Sequence, residues 1–174
     1  MKKVFPKKLR PGDEIRVIAP SRSLAIISQQ VRDVANKRFS DLGLELTFGK
    51  HVEENDDFAS SSIAARIEDI HDAFSDKKVK GILAVIGGFN SNQLLRYINW
   101  DLISSNPKIF CGYSDFTILN NAMYAKTGLV TCSGPAYSTF GQELYFDYTL
   151  EYFRQCVFSE APFTVSPSKH WSDD

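Results

Sequence analysis

Apolar and polar residues follow two different periods along this chain, and the periods predict strands and helices in turn. Residues 14–20 form a short β-branched run that ends in proline, which predicts a first strand followed by a loop. After Ser28, apolar residues recur at spacings of three and four, which predicts a helix that ends near Gly43. Residues 81–86 are apolar on both faces, which is typical of a central parallel strand covered by helices.

The same alternation continues through the whole chain. Predicted strands cover residues 14–20, 44–52, 81–86, 108–112 and 129–133, and helices are predicted from Ser28, after residues 60–62, from Asn90 to Ile98, over 116–126 and over 145–157. This order predicts an α/β fold class, with a doubly wound, flavodoxin-like, mostly parallel sheet and helices on both faces. Ligands bind beyond the carboxyl ends of strands in such sheets, so chemistry is expected in the loops after Ile86 and after Gly112.

Composition and charge exclude several classes of function. The chain has 174 residues, 43% of them hydrophobic and 24% charged, which is typical of one globular domain. Its 20 basic and 21 acidic side chains give a net charge of -1, so there is no basic excess for a nucleic acid partner. No apolar run is long enough to span a bilayer or to serve as a signal peptide, and we therefore expect no membrane association.

The cysteines and acidic residues do not indicate a metal or cofactor site. Cys111, Cys132 and Cys156 are an odd number without C-x-x-C spacing, which favours a reducing cytoplasm over a disulfide framework or a zinc site. The acidic residues of segment 53–57 lack convergent spacing and are interpreted as a solvated loop. Segment 87–93 lacks both G-x-G-x-x-G and a P-loop ending, so a nucleotide-binding loop is excluded. We expect neither a metal nor a cofactor.

Ser114 lies in a sharp turn between a predicted strand and a predicted helix. Such a turn lifts the hydroxyl above the sheet near a helix N-terminus, where free N–H groups can stabilise an oxyanion. The N–H of Asp115 is the expected donor. The motif departs from the G-x-S-x-G elbow, because Phe116 replaces the second glycine. Ser114 is a candidate nucleophile, and the alternative that it only caps the helix remains open.

Gly87 and Gly88 follow the central apolar strand and are the second candidate feature. Two glycines at a strand end let the backbone approach a ligand closely and expose N–H groups. They predict either a second oxyanion donor or an ordinary tight turn before Asn90.

Four ordered segments resemble the LD-carboxypeptidase and microcin-immunity superfamily, and they are residues 17–21, 86–95, 106–117 and 124–135. The segment Gly-Gly-Phe-Asn-Ser-Asn-Gln-Leu-Leu resembles the microcin-immunity branch, whereas murein tetrapeptide carboxypeptidases more usually carry a Gly-Gly-Tyr-Gly type loop. The likeness covers nearly the whole chain. It implies that Ser114 is the nucleophile, that Asp115 and the Gly87–Gly88 turn form the oxyanion hole, and that the protein is a homodimer.

The resemblance also implies a Ser-His-Glu triad whose Glu and His lie in a second domain. None of His51, His71 and His170 matches the catalytic histidine of the family. We therefore expect residues 1–165 to form the nucleophile-bearing domain and residues 166–174 to begin a linker to an absent C-terminal domain. Since a serine hydroxyl is a poor nucleophile without a base, the chain alone is expected to be inactive.

Three classes of function follow from these observations. The first is hydrolysis of an amide-type bond in a small peptide or peptide-nucleotide substrate, either to detoxify a microcin-like aminoacyl nucleotide or to release a terminal D-amino acid from a murein peptide. The second is a non-catalytic binding module on a flavodoxin-like sheet. The third is a hydrolase with a cysteine nucleophile, although Cys111 and Cys132 are expected to be buried core thiols.

Overall fold

A five-stranded parallel sheet forms the centre of the protein in a computed structural model, which describes residues 2–169. The strand order is β2-β1-β3-β4-β5, and every neighbouring pair is parallel. This order is that of flavodoxin-like folds and confirms the predicted fold class. The strands are β1 Glu14–Ile18, β2 Glu45–Phe48, β3 Val79–Ala84, β4 Ile109–Gly112 and β5 Cys132–Ser133.

Helices cover both faces of this sheet, as predicted. They are α1 Gln29–Asp41, α2 Ile63–Ser75, α3 Trp100–Ser105, α4 Thr117–Thr127 and α5 Asp147–Phe158. Successive strand residues point to opposite faces and enter two hydrophobic clusters. One cluster joins Val17, Leu83 and Cys111 to α1 and α5, and the other joins Ile18, Ile82 and Phe110 to α2, α3 and α4.

Local sequence signals explain where two of the helices begin and where one ends. Ser28 and Ser62 are the N-caps of α1 and α2, and their side chains accept hydrogen bonds from the N–H groups of Val31 and Ala65. Gly43 follows α1 with a φ of +71°, a left-handed conformation that glycine adopts at little cost. These predicted helix boundaries are confirmed.

The helix predicted from Asn90 to Ile98 is wrong. The chain forms a short 3₁₀ turn at Ser91–Leu94, and α3 then begins separately after Asn99. Asn99 acts as an N-cap, since its side chain accepts the N–H of Leu102. The predicted helix stopped at Ile98, so α3, which begins after this cap, was not predicted.

Some predicted strands are shorter or shifted in the structure. The strand predicted at 81–86 lies at Val79–Ala84 and ends early, because the carbonyl of Val85 accepts an N–H from Ser138 in the 3₁₀ turn Tyr137–Gly141. The strands predicted at 44–52 and 129–133 shrink to β2 and to the two residues of β5. Leu129 instead forms an isolated bridge with Val4.

The parallel arrangement brings the loops after β1, β3 and β4 to one edge of the sheet.

The predicted linker covers residues 166–174. Residues 166–169 have no helix or strand, and residues 170–174 lie outside the described residues. The predicted division at residue 165 stays a prediction. Across residues 2–169, none of the helices has the length and apolar character needed to cross a membrane.

Candidate active site

Ser114 occupies a strained position between β4 and α4. The strand ends at Gly112, a 3₁₀ turn covers Ser114–Phe116, and α4 follows directly. The φ of Ser114 is +62°, in the left-handed region that few residues other than glycine adopt. Such backbone strain costs about 1–3 kcal/mol and concentrates at functional sites. The turn therefore has the backbone geometry of a nucleophile elbow, although its second glycine is absent.

The hydroxyl of Ser114 does not cap a helix. The N-cap residues of the 3₁₀ turn and of α4 are Tyr113 and Phe116, and neither makes a side-chain capping bond. Within the described part of the chain, the Ser114 hydroxyl makes no hydrogen bond, and the residue is exposed. The capping alternative is therefore wrong, and the hydroxyl is available to react with a ligand.

The turn after β3 lies directly against Ser114. A Cβ atom added to Gly87 would lie 2.8 Å from both Cβ and Oγ of Ser114 and 3.6 Å from the backbone N of Asp115. A Cβ atom added to Gly88 would collide with the hydroxyl of Ser21, in the loop after β1. Both positions thus require glycine, because neighbouring side chains leave no room for a Cβ atom. Only Gly87 faces the candidate nucleophile.

Backbone N–H groups beside Ser114 are free to bind an anion. The N–H groups of Gly87, Gly88 and Asp115 donate no hydrogen bond to any of residues 2–169. Unpaired backbone donors are uncommon in folded proteins unless water or a ligand binds them. Their presence at a strained serine is what an oxyanion hole requires.

The carboxylate of Asp115 holds three loops together. Its Oδ2 atom accepts the hydroxyl of Ser21 at 2.6 Å and the N–H groups of Asn90 and Ser91 at 3.0 and 2.9 Å. These donors follow β1 and β3, whereas Asp115 follows β4. Burial alone would raise the pKa of Asp115, but the hydrogen bonds from Ser21, Ser91 and Asn90 outweigh burial and lower it.

Arg66 donates hydrogen bonds to the loops after β1 and β3, and it was not among the residues predicted from the sequence. Its guanidinium donates to the carbonyls of Pro20 at 3.1 Å and Asn90 at 3.2 Å, and to Oε1 of Gln93 at 2.8 Å. The residue is 3% exposed, and burial lowers the pKa of its guanidinium. Its spacing could have predicted that it is buried, because Arg66 lies three residues after Ile63 on the buried side of α2.

Neither described histidine reaches Ser114. His51 follows β2 and lies 2.5 Å from Glu54, an interaction that raises the pKa of His51. His71 accepts the N–H of Asn99 through Nε2, and burial lowers its pKa. His170 lies outside the described residues. The described chain thus places no imidazole beside the candidate nucleophile.

The cysteine alternative receives no support from the structure. Cys111 is fully buried within β4, and burial raises the pKa of its thiol far above the usual range. Cys132 is half-buried in β5 rather than fully buried as predicted. Among residues 2–169, no three His, Cys, Asp or Glu side chains are grouped to bind a metal ion.

Replacing Asp115 by alanine is expected to lower the free energy of unfolding by about 2–3 kcal/mol at neutral pH, because hydrogen bonds to a charged group contribute about that much to stability. A carboxylate with a lowered pKa stabilises the fold above its unfolded-state pKa, and this contribution disappears as pH falls through the lowered pKa. The difference between wild type and variant should therefore shrink on acidification. Urea unfolding at about pH 7 and about pH 3 measures it.

Asp57→Ala is the matched control, because Asp57 is exposed and makes no ion pair or hydrogen bond within the described chain. It should change stability little at either pH. An Asp115→Ala loss that is equal at both pH values would contradict the role assigned to the carboxylate charge.

Comparison with known proteins places these features in a family context. Residues 15–134 match the family described as LD-carboxypeptidase N-terminal domain. The putative carboxypeptidase YocD of Bacillus subtilis is 50% identical over 98% of this chain and 53% of its own length. The microcin C7 self-immunity protein MccF of Escherichia coli is 36% identical over 76% of this chain and 40% of its own length.

Solved structures give the same result. An MccF-like protein from Bacillus anthracis superposes with a TM-score of 0.96 at 57% identity, over 98% of this chain and 52% of that protein. MccF in complex with aspartyl sulfamoyl adenosine superposes with a TM-score of 0.91 at 31% identity, over 98% of this chain and 52% of its own. This chain thus spans about half the length of the relatives that it matches.

Proposed function

Because this chain belongs to the LD-carboxypeptidase family of serine peptidases, we propose that Ser114 is the nucleophile of a hydrolase that cleaves amide-type bonds. The observation that carries the proposal is the environment of Ser114. Its backbone φ is +62°, its hydroxyl is free, and unpaired N–H groups of Gly87 and Asp115 lie beside it. A cap or a turn uses such a hydroxyl for local hydrogen bonds, whereas a nucleophile must leave it accessible to the substrate and to a base.

The reaction begins when the Ser114 oxygen attacks the substrate carbonyl carbon. The carbonyl oxygen becomes an oxyanion, and the N–H groups of Asp115 and of the Gly87–Gly88 turn stabilise its charge. Asp115 contributes only through its backbone, since its carboxylate is occupied by Ser21, Asn90 and Ser91. An acyl-enzyme then forms as the leaving group departs, and water releases the acid.

The proton of Ser114 needs a base that the described residues do not provide. His51 and His71 are engaged with Glu54 and Asn99, away from the serine. We propose that a His and a Glu of a further C-terminal domain complete a Ser-His-Glu triad, so that this chain is inactive by itself.

We propose an aminoacyl nucleotide as the substrate, with cleavage between the aminoacyl carboxyl and the nucleotide portion. The structural similarity to MccF bound to aspartyl sulfamoyl adenosine supports this choice. In sequence, Phe89 directly follows the glycine turn and Tyr113 directly precedes Ser114, and the two residues are 63% and 46% exposed. An exposed aromatic ring in these loops can stack on a nucleobase.

A murein tetrapeptide is the second candidate substrate. A probable murein peptide carboxypeptidase of B. subtilis is 36% identical over 95% of this chain. In that reaction the same nucleophile would release a terminal D-amino acid.

We further propose a cytoplasmic homodimer, and the three free cysteines are consistent with a reducing compartment.

Hydrolysis by the full-length protein tests the proposal. The protein is incubated with aspartyl sulfamoyl adenosine or with a murein tetrapeptide, and the released amino acid is measured by mass spectrometry. Rapid cleavage of the nucleotide substrate is expected, with this 174-residue chain inactive in parallel. Preferential cleavage of the tetrapeptide would assign the protein to the murein reaction instead.

A fluorophosphonate probe separates both reactions from a non-catalytic binding module. Labelling of Ser114, mapped by peptide mass spectrometry, is expected for the full-length hydrolase. Ligand binding without hydrolysis and without labelling would support the binding module and overturn the proposed function.

A further inference from the structure

All three cysteines of the chain converge on one cavity. The cavity has a volume of about 820 Å³ and lies between β5, α5 and the N-terminal segment. Cys111, Cys132 and Cys156 line it together with aromatic residues that include Phe5, Tyr152 and Phe163. Cys111 and Cys132 are register partners on the adjacent strands β4 and β5. The proposed hydrolysis uses none of these thiols.

Two of the three sulfur atoms are in contact. The Sγ atoms of Cys132 and Cys156 lie 3.7 Å apart, and both residues are free and half-buried. A disulfide holds its sulfur atoms about 2.05 Å apart, so the two sulfur atoms must move closer together for a bond to form. Cys111 differs from this pair, because it is 2% exposed and its thiol lies 3.7 Å from the carbonyl of Pro135.

The surroundings of the pair favour one thiolate and one thiol. Either sulfur can donate in this contact; with the S–H on Cys132 the contact lowers the pKa of Cys156, while burial opposes the shift and nearby Lys8 favours it. Lys8 is held at this position by a 2.5 Å hydrogen bond from Nζ to the carbonyl of Cys156. The same shared proton raises the pKa of Cys132. Thiolates rather than thiols react with oxidants, so Cys156 is the reactive member.

We propose that Cys132 and Cys156 form a peroxide-sensitive dithiol that closes to an intramolecular disulfide across β5 and α5. The Cys156 thiolate attacks one oxygen of hydrogen peroxide, the O–O bond breaks, and hydroxide leaves as a sulfenic acid forms. The sulfur of Cys132 then attacks the sulfenic sulfur, the S–O bond breaks, and water leaves. The hydroxide takes up the proton that Cys156 lost when it became a thiolate, so two thiols are oxidised and one peroxide is reduced to two waters.

The location of the pair links it to the rest of the sheet. β5 pairs with β4 through Cys111–Cys132 and Gly112–Ser133, and Gly112 ends the strand that leads to Ser114. A covalent bond from β5 to the last turns of α5 would cross-link the strand beside β4 to a helix on the same face of the sheet. The expected result is a more stable oxidised chain, with a melting temperature raised by roughly 5–10 °C.

Peptide mapping of this chain tests the proposal directly. After peroxide treatment and alkylation of free thiols, trypsin separates the cysteines into peptides 109–126, 127–154 and 155–169. A non-reducing mass spectrum should contain one cross-linked species that joins 127–154 to 155–169 and disappears on addition of dithiothreitol. Recovery of all three peptides uncrosslinked, or a cross-link to 109–126, would overturn the proposal.

Serine substitutions provide the matched controls. Cys132→Ser and Cys156→Ser should each abolish both the cross-link and the rise in melting temperature, whereas Cys111→Ser should retain both. The wild-type map does not depend on the variants folding, so it decides the question by itself. A melting temperature that rises equally in Cys156→Ser would show that the disulfide is not its cause.

Discussion

Ser114→Ala in a protein that carries the proposed C-terminal domain is expected to abolish hydrolysis, with a loss of roughly 10⁴- to 10⁶-fold in kcat. The residual rate would come from substrate binding and the oxyanion donors alone. The substitution should leave stability almost unchanged, because the hydroxyl makes no hydrogen bond within the described residues and alanine keeps the same left-handed strain. Steady-state kinetics on the preferred substrate and thermal unfolding measure the two effects separately.

Ser40→Ala is the matched control for this experiment. Ser40 is an exposed residue near the end of α1, at the opposite edge of the sheet from the loops that follow β3 and β4. Its kcat should equal that of the wild type. Full activity of the Ser114→Ala protein would refute the assignment of the nucleophile, whatever the substrate.

Gly87→Ala is expected to lower kcat by roughly 10²-fold or more, since a displacement of about 1 Å at a reacting group has that effect. The new methyl group would lie 2.8 Å from both Cβ and Oγ of Ser114, closer than carbon and oxygen atoms approach without displacement. Gly87 does not have a positive φ, so the expected loss arises from the collision and not from backbone strain. Probe labelling of Ser114 should slow in parallel with turnover.

Gly128→Ala separates this effect from a general loss of stability. Gly128 follows α4 at a φ of +78°, and alanine in that conformation costs about 1–2 kcal/mol. The control should therefore melt at a lower temperature and keep its kcat. If Gly87→Ala loses stability but retains kcat, the glycine turn does not shape the active site.

Much of the fold could be predicted because strand and helix periods were regular. The strong apolar runs at β3 and β4, and the serine caps of α1 and α2, led to the correct element types and to the parallel architecture. Such local signals are sufficient when the tertiary environment agrees with them. The segment that starts at Asn90 also has a partner that the local pattern could not indicate, since the Asp115 carboxylate, distant in sequence, accepts the N–H groups of Asn90 and Ser91.

The candidate site was predictable only in outline. The strand-to-helix turn and the resemblance indicated Ser114, but the backbone angle of +62° and the free hydroxyl depend on coordinates. The distinct roles of Gly87 and Gly88 also required neighbours from other loops, namely Ser114 and Ser21. The roles assigned to Ser114, Asp115 and the two glycines stay predictions until the variants are measured.

The three-way junction at the Asp115 carboxylate has a consequence for engineering. Ser21, Asn90 and Asp115 belong to three loops that share one set of hydrogen bonds, so substitutions in these loops will not combine additively. Altered selectivity is better sought by randomising positions of all three segments together, with the carboxylate and its donors kept constant.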